Sequence, residues 1–190
     1  MPDWTSLLPT TAERMFAGIG ARLHPGMQAY GSIDAVPVVD VAVGEAVAGV
    51  ALSPDHAMPW LSAGKPLTAA VLLQAFKRER LPIETPVAHL LPEFAVNGKA
   101  EVTFWHLLTH TAGLLPIETG WPEATWDEIL ARICRSRLRH GWQLGRQGAY
   151  DPARSWFVLG AALERLCARP FAEVVHAEIC APLGISRSQP

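Results

Sequence analysis

The apolar positions of the chain predict two strands near the N-terminus and a series of helices after them. Residues 27–33 and 38–46 have the composition of strands and are separated by a turn at 34–37. Helical spacing of apolar side chains predicts helices at 11–23, 62–80, 103–110, 125–137, 153–168 and 171–180. A two-stranded ribbon exposes sheet edges and is marginally stable by itself. We therefore expect that helices cover the ribbon, or that the sheet has further strands that this chain lacks.

The predicted helix at 62–80 carries the residues that most strongly indicate chemistry. Its stretch 67–76 is apolar nearly all round, which is typical of a buried central helix. Pro66 is compatible only with a first helical turn, so the helix should begin close to Ser62. Ser62 and Lys65 are three residues apart and share one face. A hydroxyl at the positive end of a helix, with an amine one turn away, can act as a nucleophile with its base. The alternative is an N-cap serine with a solvated lysine, because Ser-x-x-Lys is common by chance.

Composition narrows the class of protein. The chain has 190 residues, and its 49% hydrophobic and 18% charged residues indicate one globular domain rather than a disordered segment. A net charge of −2 with scattered basic residues argues against nucleic-acid binding. The sequence has no apolar stretch that could span a membrane and no signal-peptide pattern, so we expect a cytoplasmic protein with no membrane partner. Cys134, Cys167 and Cys180 are odd in number and widely spaced, which predicts reduced thiols that pack on helices.

Several segments carry a family pattern in the same order and spacing along most of the chain. They are residues 62–69 (Ser-Ala-Gly-Lys-Pro-Leu-Thr-Ala), 86–94 (Pro-Val-Ala-His-Leu-Leu-Pro-Glu-Phe), 103–114 (Thr-Phe-Trp-His-Leu-Leu-Thr-His-Thr-Ala-Gly-Leu) and 159–185, with Leu159-Gly160, Glu164 and Ala-Pro-Leu-Gly-Ile at 181–185. Together they resemble the serine β-lactamase and penicillin-binding-protein superfamily, on the side of class C β-lactamases, D-alanyl-D-alanine carboxypeptidases and related esterases.

This resemblance implies an α/β fold of the β-lactamase/transpeptidase type. Residues 1–60 would supply an N-terminal helix and sheet strands, and residues 61–190 the central helix and the helical subdomain. The C-terminal strands of the family would be absent from residues 1–190, which correspond to roughly the first half of a typical member. We therefore expect a partial β-lactamase-like domain, with either self-association or a complementing C-terminal segment as its partner.

The resemblance also implies roles for three residues. Ser62 would be the acylated nucleophile, Lys65 its base, and Tyr150 the second-motif tyrosine whose phenol relays protons between serine and leaving group. The backbone N–H of Ser62 would form half of the oxyanion hole. The implied function is a serine hydrolase or transacylase that acts through an acyl-enzyme on a small-molecule ester or amide, without a cofactor or metal.

Two departures from the family pattern qualify this function. The second motif is usually Tyr-x-Asn, whereas this chain has Tyr150-Asp151-Pro152, and proline offers no side-chain amide to a substrate carbonyl. That difference favours esters or acyl transfer over lactams and peptides. The family's third motif, Lys or His followed by Thr or Ser and then Gly, would lie beyond residue 190. The alternative function is a non-catalytic remnant or binding module.

Other candidate residues have ordinary explanations. His106 and His110 are four apart on one predicted helix, a spacing that could bind a metal ion. The helix of a zincin also has glutamate beside the first histidine, whereas this chain has Leu107 there. We therefore interpret both histidines as core or pocket-lining residues. Asp151 could be a general base, but an Asp-Pro turn is the commoner explanation. We expect one or two tryptophans at the site among Trp60, Trp105, Trp121, Trp142 and Trp156.

Overall fold

The computed structural model describes residues 3–186, which form two compact units divided after Met58. The first unit contains helices and an antiparallel sheet with strand order β1-β2-β3. Its elements are α1 (Trp4–Leu7), α2 (Pro9–Gly20), β1 (Gly26–Ile33), β2 (Val36–Val47) and β3 (Val50–Ala51). The two predicted strands are present, and β3 is an additional strand of only two residues.

The hairpin between β1 and β2 is tighter than the sequence predicts. Its turn consists of Asp34 and Ala35, whose φ angles are 50° and 63°. Two consecutive positive φ angles give a turn whose twist matches that of the flanking strands. β2 therefore begins at Val36 and includes Pro37, which pairs with Ser32 at a register shift. Between residues 3 and 186, no strand pairs with the outer edge of β1.

The second unit is helical and is built around one long helix packed on another. Its elements are a 3₁₀ turn (Leu61–Gly64), α3 (Lys65–Glu79), two further 3₁₀ turns (Val87–His89 and Pro92–Ala95), α4 (Phe104–Leu108), α5 (Trp126–Arg135), α6 (Arg154–Cys167), α7 (Phe171–Val175) and a π-helical turn (His176–Cys180). α3 packs against α6, which also contacts α4, α5 and α7. Fully buried side chains fill the space between these helices, among them Leu72, Phe104, Leu107, Ile133, Leu159 and Leu163.

The apolar stretch 67–76 predicts a helix that is buried nearly all round, and this is wrong for α3. One face is buried, with Val71, Leu72 and Phe76 at or below 2% exposure, whereas Leu73 is 47% exposed. The helix also begins at Lys65 rather than Ser62, because Pro66 occupies one of its first two positions, where a missing N–H is tolerated. Ser62 lies in the 3₁₀ turn that leads into the helix.

The helical unit contains a fully buried lysine that the sequence did not indicate. The Lys99 ammonium donates to the carbonyl of Val96 at 2.8 Å and to that of Ser136, the C-cap residue of α5. Burial lowers the pKa of Lys99 from its usual 10.5. Burial also raises the pKa of the nearby Cys134 thiol to about 11, which makes this cysteine a packing residue.

Among the helices within residues 3–186, none has both the length and the apolar character needed to cross a bilayer.

Candidate active site

The structure brings Ser62, Lys65 and Tyr150 together. The Ser62 Oγ lies 2.6 Å from the Tyr150 Oη, and the Lys65 Nζ donates to the Ser62 Oγ at 3.3 Å. Tyr150 is 88 residues from Ser62 in sequence, so the fold rather than local geometry creates this contact. A serine hydroxyl bonded to a phenol and to an amine has two groups within reach of its proton.

Ser62 is presented by a locally strained backbone. The preceding residue, Leu61, has a φ of 45° and its side chain is 85% exposed. Left-handed backbone is rare for a branched non-glycine residue and costs about 1–3 kcal/mol. Lys65 is the first residue of α3, so the hydroxyl lies just before the positive end of that helix. The predicted proximity of the two side chains at i and i+3 is confirmed.

The contacts of the Tyr150 phenol favour its ionised form. Hydrogen bonds with Ser62 and then Lys65 lower the pKa of Tyr150 below its usual 10. A neighbouring ammonium and a hydroxyl donor both favour the phenolate over the phenol. At a given pH a larger fraction of Tyr150 is therefore ionised than of an ordinary surface tyrosine.

Two aromatic rings flank the amine of Lys65. Its Nζ lies 5.5 Å from the centre of the Tyr150 ring and 5.4 Å from that of Trp156, a half-buried residue in the first turns of α6. Ring faces attract a positive charge at these distances. Of the five candidate tryptophans, Trp156 therefore lies beside the serine–lysine–tyrosine cluster.

Asp151 has a structural part in the site rather than that of a free base. The residue is only 5% exposed, and its carboxylate accepts hydrogen bonds from the backbone N–H groups of Ala153, Arg154 and Ser155 and from the side chains of Arg154 and Ser155. Burial raises the pKa of Asp151, but these bonds, led by Ser155, outweigh that effect and hold it below 3.8. The carboxylate of Asp151, the residue that follows Tyr150, therefore fixes the start of α6 at Arg154.

The two histidines of the 103–114 segment act as backbone acceptors. The His106 Nδ1 accepts the N–H of Thr103 at 3.0 Å and completes a capping box at the start of α4. The His110 Nδ1 accepts the N–H of Asp151 at 3.1 Å. Within the part of the chain that the structure describes, no group of three or more His, Cys, Asp or Glu side chains is arranged to hold a metal ion.

The surroundings of Gly113 explain why a glycine stands near the end of the 103–114 segment. Gly113 has a φ of 67°, and a Cβ atom there would lie 2.2 Å from the Trp142 ring. The Trp142 Nε1 in turn donates to the carbonyl of Thr111 at 2.9 Å. The connection between α5 and α6 is thereby packed onto residues 111–113. The sequence identified this segment as a family motif, but the partner of each residue depends on distant parts of the chain.

The sequence of this chain is similar to those of known proteins. The sequence profile of the family described as Beta-lactamase matches residues 12–189. Esterase EstB of Burkholderia gladioli is 33% identical over 162 residues, which cover 73% of this chain and 39% of that esterase. Esterase/beta-lactamase LipL of Mycobacterium tuberculosis is 30% identical over 149 residues, covering 75% of this chain and 35% of the relative.

The fold of this chain is also similar to those of solved structures. The solved structure of the octameric penicillin-binding protein homologue from Pyrococcus abyssi superposes with a TM-score of 0.81 at 20% identity, over 95% of this chain and 44% of that one. The chain spans well under half the length of the two esterase relatives. Because the family profile covers nearly all of the sequence, the chain belongs to the β-lactamase family.

Proposed function

We propose that this chain carries the nucleophile of a serine hydrolase or transacylase that forms an acyl-enzyme on esters. The observation that carries the proposal is the 2.6 Å contact between the Ser62 Oγ and the Tyr150 Oη, with the Lys65 amine 3.3 Å from the same oxygen. The esterase names of EstB and LipL support the reaction class.

The proposed reaction begins with attack of the Ser62 Oγ on the ester carbonyl carbon. Tyr150 enters this step as its phenolate, whose negative charge the Lys65 ammonium stabilises. The serine proton passes to the phenolate Oη, the nearest acceptor, and leaves a neutral phenol. When the tetrahedral intermediate collapses, the carbon–oxygen bond to the leaving alcohol breaks and the Tyr150 proton moves to that oxygen. Water or another alcohol then attacks the acyl-serine by the reverse sequence of proton transfers.

The backbone N–H of Ser62 is proposed as one donor to the carbonyl oxygen during these steps. Its place beside the N-terminus of α3 suits a developing negative charge. Removing one such donor typically slows a reaction by about 10²–10³-fold, so a second donor would contribute strongly to turnover.

The proposed substrate class follows from Pro152. A site that hydrogen-bonds an amide or lactam carbonyl needs a donor beside the tyrosine, and the exposed Pro152 has neither a side-chain amide nor a backbone N–H. A missing hydrogen-bond partner discriminates strongly against the substrate that needs it. Esters, which have a better leaving group, depend less on such a partner.

The test is covalent labelling followed by turnover. The 190-residue chain is treated with a fluorophosphonate, and intact mass and peptide mapping locate the adduct, which we expect on Ser62. Ser62→Ala should remove labelling completely, whereas Ser32→Ala, a change at an exposed serine of β1, should leave it unchanged. Hydrolysis of p-nitrophenyl butyrate should exceed that of nitrocefin.

Two outcomes would contradict the proposal. Absence of any adduct on Ser62, in a chain shown to be folded, would favour the alternative of a non-catalytic binding module. Faster turnover of nitrocefin than of the ester would leave the nucleophile in place but overturn the substrate class.

A further inference from the structure

Both neighbours of Tyr150 in the chain are bonded to a single residue, His110. The N–H of Ala149 donates to the His110 carbonyl at 3.0 Å, and the N–H of Asp151 donates to the His110 Nδ1 at 3.1 Å. The residue before Tyr150 is bonded to the backbone of His110, and the residue after Tyr150 is bonded to its side chain. The two bonds therefore form a two-point attachment for the peptide units around the phenol.

The conformation of His110 makes this double contact possible. Its φ is 58°, in the left-handed region, which histidine, asparagine and aspartate adopt more readily than other side chains. The chain reverses there directly after α4, so the carbonyl and the ring of His110 reach the same short segment. The ring also packs 4.8 Å from the ring of Tyr150, centre to centre.

Tyr150 has little burial to hold it. It is 57% exposed, whereas the next residue, Asp151, is 5% exposed and fixed to the start of α6. An exposed phenol keeps a 2.6 Å contact with Ser62 only if its backbone is held in place. The two backbone bonds to His110 supply that support, and the His110 ring packs against the ring of Tyr150.

We propose that His110 is a positioning residue for Tyr150, which aligns the phenol with the Ser62 hydroxyl through its Nδ1 acceptor. The inference rests on the proposed function of Ser62, but its geometric part can be measured without catalysis. Because the Nδ1 accepts a backbone N–H, the neutral ring carries its proton on Nε2. A side chain that places an acceptor at the Nδ1 position should preserve the alignment, and one without an acceptor should not.

The matched pair of variants is His110→Asn and His110→Leu. The two new side chains branch at the same carbon and have similar size, but only asparagine places an oxygen acceptor close to the former Nδ1. Asparagine also tolerates the left-handed backbone at this position. The difference between the variants therefore reports on the hydrogen bond to Asp151 together with the backbone conformation of residue 110, which leucine adopts less readily than asparagine.

The first readout is the titration of Tyr150 followed by NMR of ring-labelled [¹³Cζ]tyrosine. The chain has two tyrosines, and Tyr30→Phe assigns the signals. In His110→Leu the Tyr150 signal should titrate closer to that of an ordinary tyrosine, because the phenol loses its partners Ser62 and Lys65. In His110→Asn it should titrate as in the wild type.

The second readout is the rate of Ser62 labelling by the fluorophosphonate. Misplacement of a catalytic group by about 1 Å can cost on the order of 10²-fold in rate. We therefore expect the labelling rate of His110→Leu, in which the phenol is misplaced, to fall by at least about 10-fold. The labelling rate of His110→Asn, which keeps the acceptor, should stay within about 3-fold of wild type.

A control separates positioning from general destabilisation. Thr125→Ala removes the cap of α5, which does not contact Tyr150, and it should leave both readouts unchanged while lowering the melting temperature. If His110→Leu does not fold, His110→Ala with added imidazole replaces it, and imidazole should restore the wild-type titration.

The outcomes distinguish this inference from the proposed function. An unchanged Tyr150 titration in folded His110→Leu, or equal effects in the Asn and Leu variants, would overturn the positioning role. If the wild type is not labelled at Ser62 but the titration responds as expected, the positioning role stands and the proposed hydrolase function fails.

Discussion

Asp151 follows Tyr150 of the candidate site in the chain, and its carboxylate organises the start of α6. Three backbone N–H groups, the Ser155 hydroxyl and the Arg154 guanidinium all donate to it, and both members of the Asp151–Arg154 ion pair are less than a tenth exposed. Removing one partner of a buried ion pair leaves the other charge unpaired, which is costly.

We expect Asp151→Ala to lower the free energy of unfolding by about 3–5 kcal/mol, measured by urea denaturation. The double variant Asp151→Ala, Arg154→Met should be more stable than Asp151→Ala alone, because it removes the unpaired cation. If the single and double variants were equally stable, the ion pair would have no part in the effect.

At this scale, part of the site could be predicted from sequence. Ser62 and Lys65 are neighbours on one helical turn, so their spacing alone predicts their contact. Tyr150 required the family pattern, since 88 residues separate it from Ser62. The support from His110 could not be predicted, because it depends on a left-handed residue and on a loop 41 positions away.

The short helix α4 shows how an element can depend on one titratable group. Its capping box uses the His106 Nδ1, instead of the usual glutamate or glutamine, as acceptor for the N–H of Thr103. Burial lowers the pKa of His106 below 6.5. The folded protein therefore binds fewer protons at this site than the unfolded chain, so its stabilising contribution is complete above pH 6.5 and is lost as pH falls through the lower folded pKa.

We expect His106→Gln to remove this pH dependence. Glutamine can supply the reciprocal bond of the box without titrating. The stability difference between wild type and variant should change by up to about 1 kcal/mol between pH 7.5 and pH 5, the usual contribution of a cap. Urea denaturation of both proteins at the two pH values measures it. A constant difference would show that the protonation of His106 does not reach the cap.

Helix existence was easier to predict than helix ends. Pro9 begins α2 earlier than its apolar pattern indicates, because proline is favoured in the first turn. α4 ends at Leu108, and the left-handed His110 follows it two residues later, which a helical spacing of apolar residues cannot reveal. The capping box of Thr125 and Glu128, in contrast, joins residues that are close in sequence, and the predicted helix start at 125 agrees with the N-cap of α5.

At the scale of the whole molecule, the sheet of the first unit has an open edge. Within the described residues, β1 has β2 on one side and no strand on the other. Tyr30 and Ile33 on β1 are 66% and 65% exposed. An unpaired strand with exposed apolar side chains is a template for pairing with another strand. The esterase relatives are longer than this chain, and a strand from elsewhere in a longer protein would satisfy the edge equally well.

For the 190-residue polypeptide itself, we expect self-association through β1. Size-exclusion chromatography with light scattering should give a mass above that of the 20.6 kDa monomer at micromolar concentrations. Lysines on edge strands oppose such pairing, so the double variant Tyr30→Lys, Ile33→Lys should shift the population toward monomer. A wild-type chain that elutes as a monomer over the whole concentration range would contradict this expectation.

The placement of the lysines has a practical consequence for chemical labelling. The chain contains three: Lys77 is exposed on α3, Lys65 lies half-buried between two rings, and Lys99 is fully buried. A limiting amount of an amine-reactive dye should therefore couple to Lys77 before the other two side chains. Modification of Lys99 would require the helical unit to open. The rate at which the Lys99 adduct forms, followed by mass spectrometry, therefore measures how often that unit unfolds.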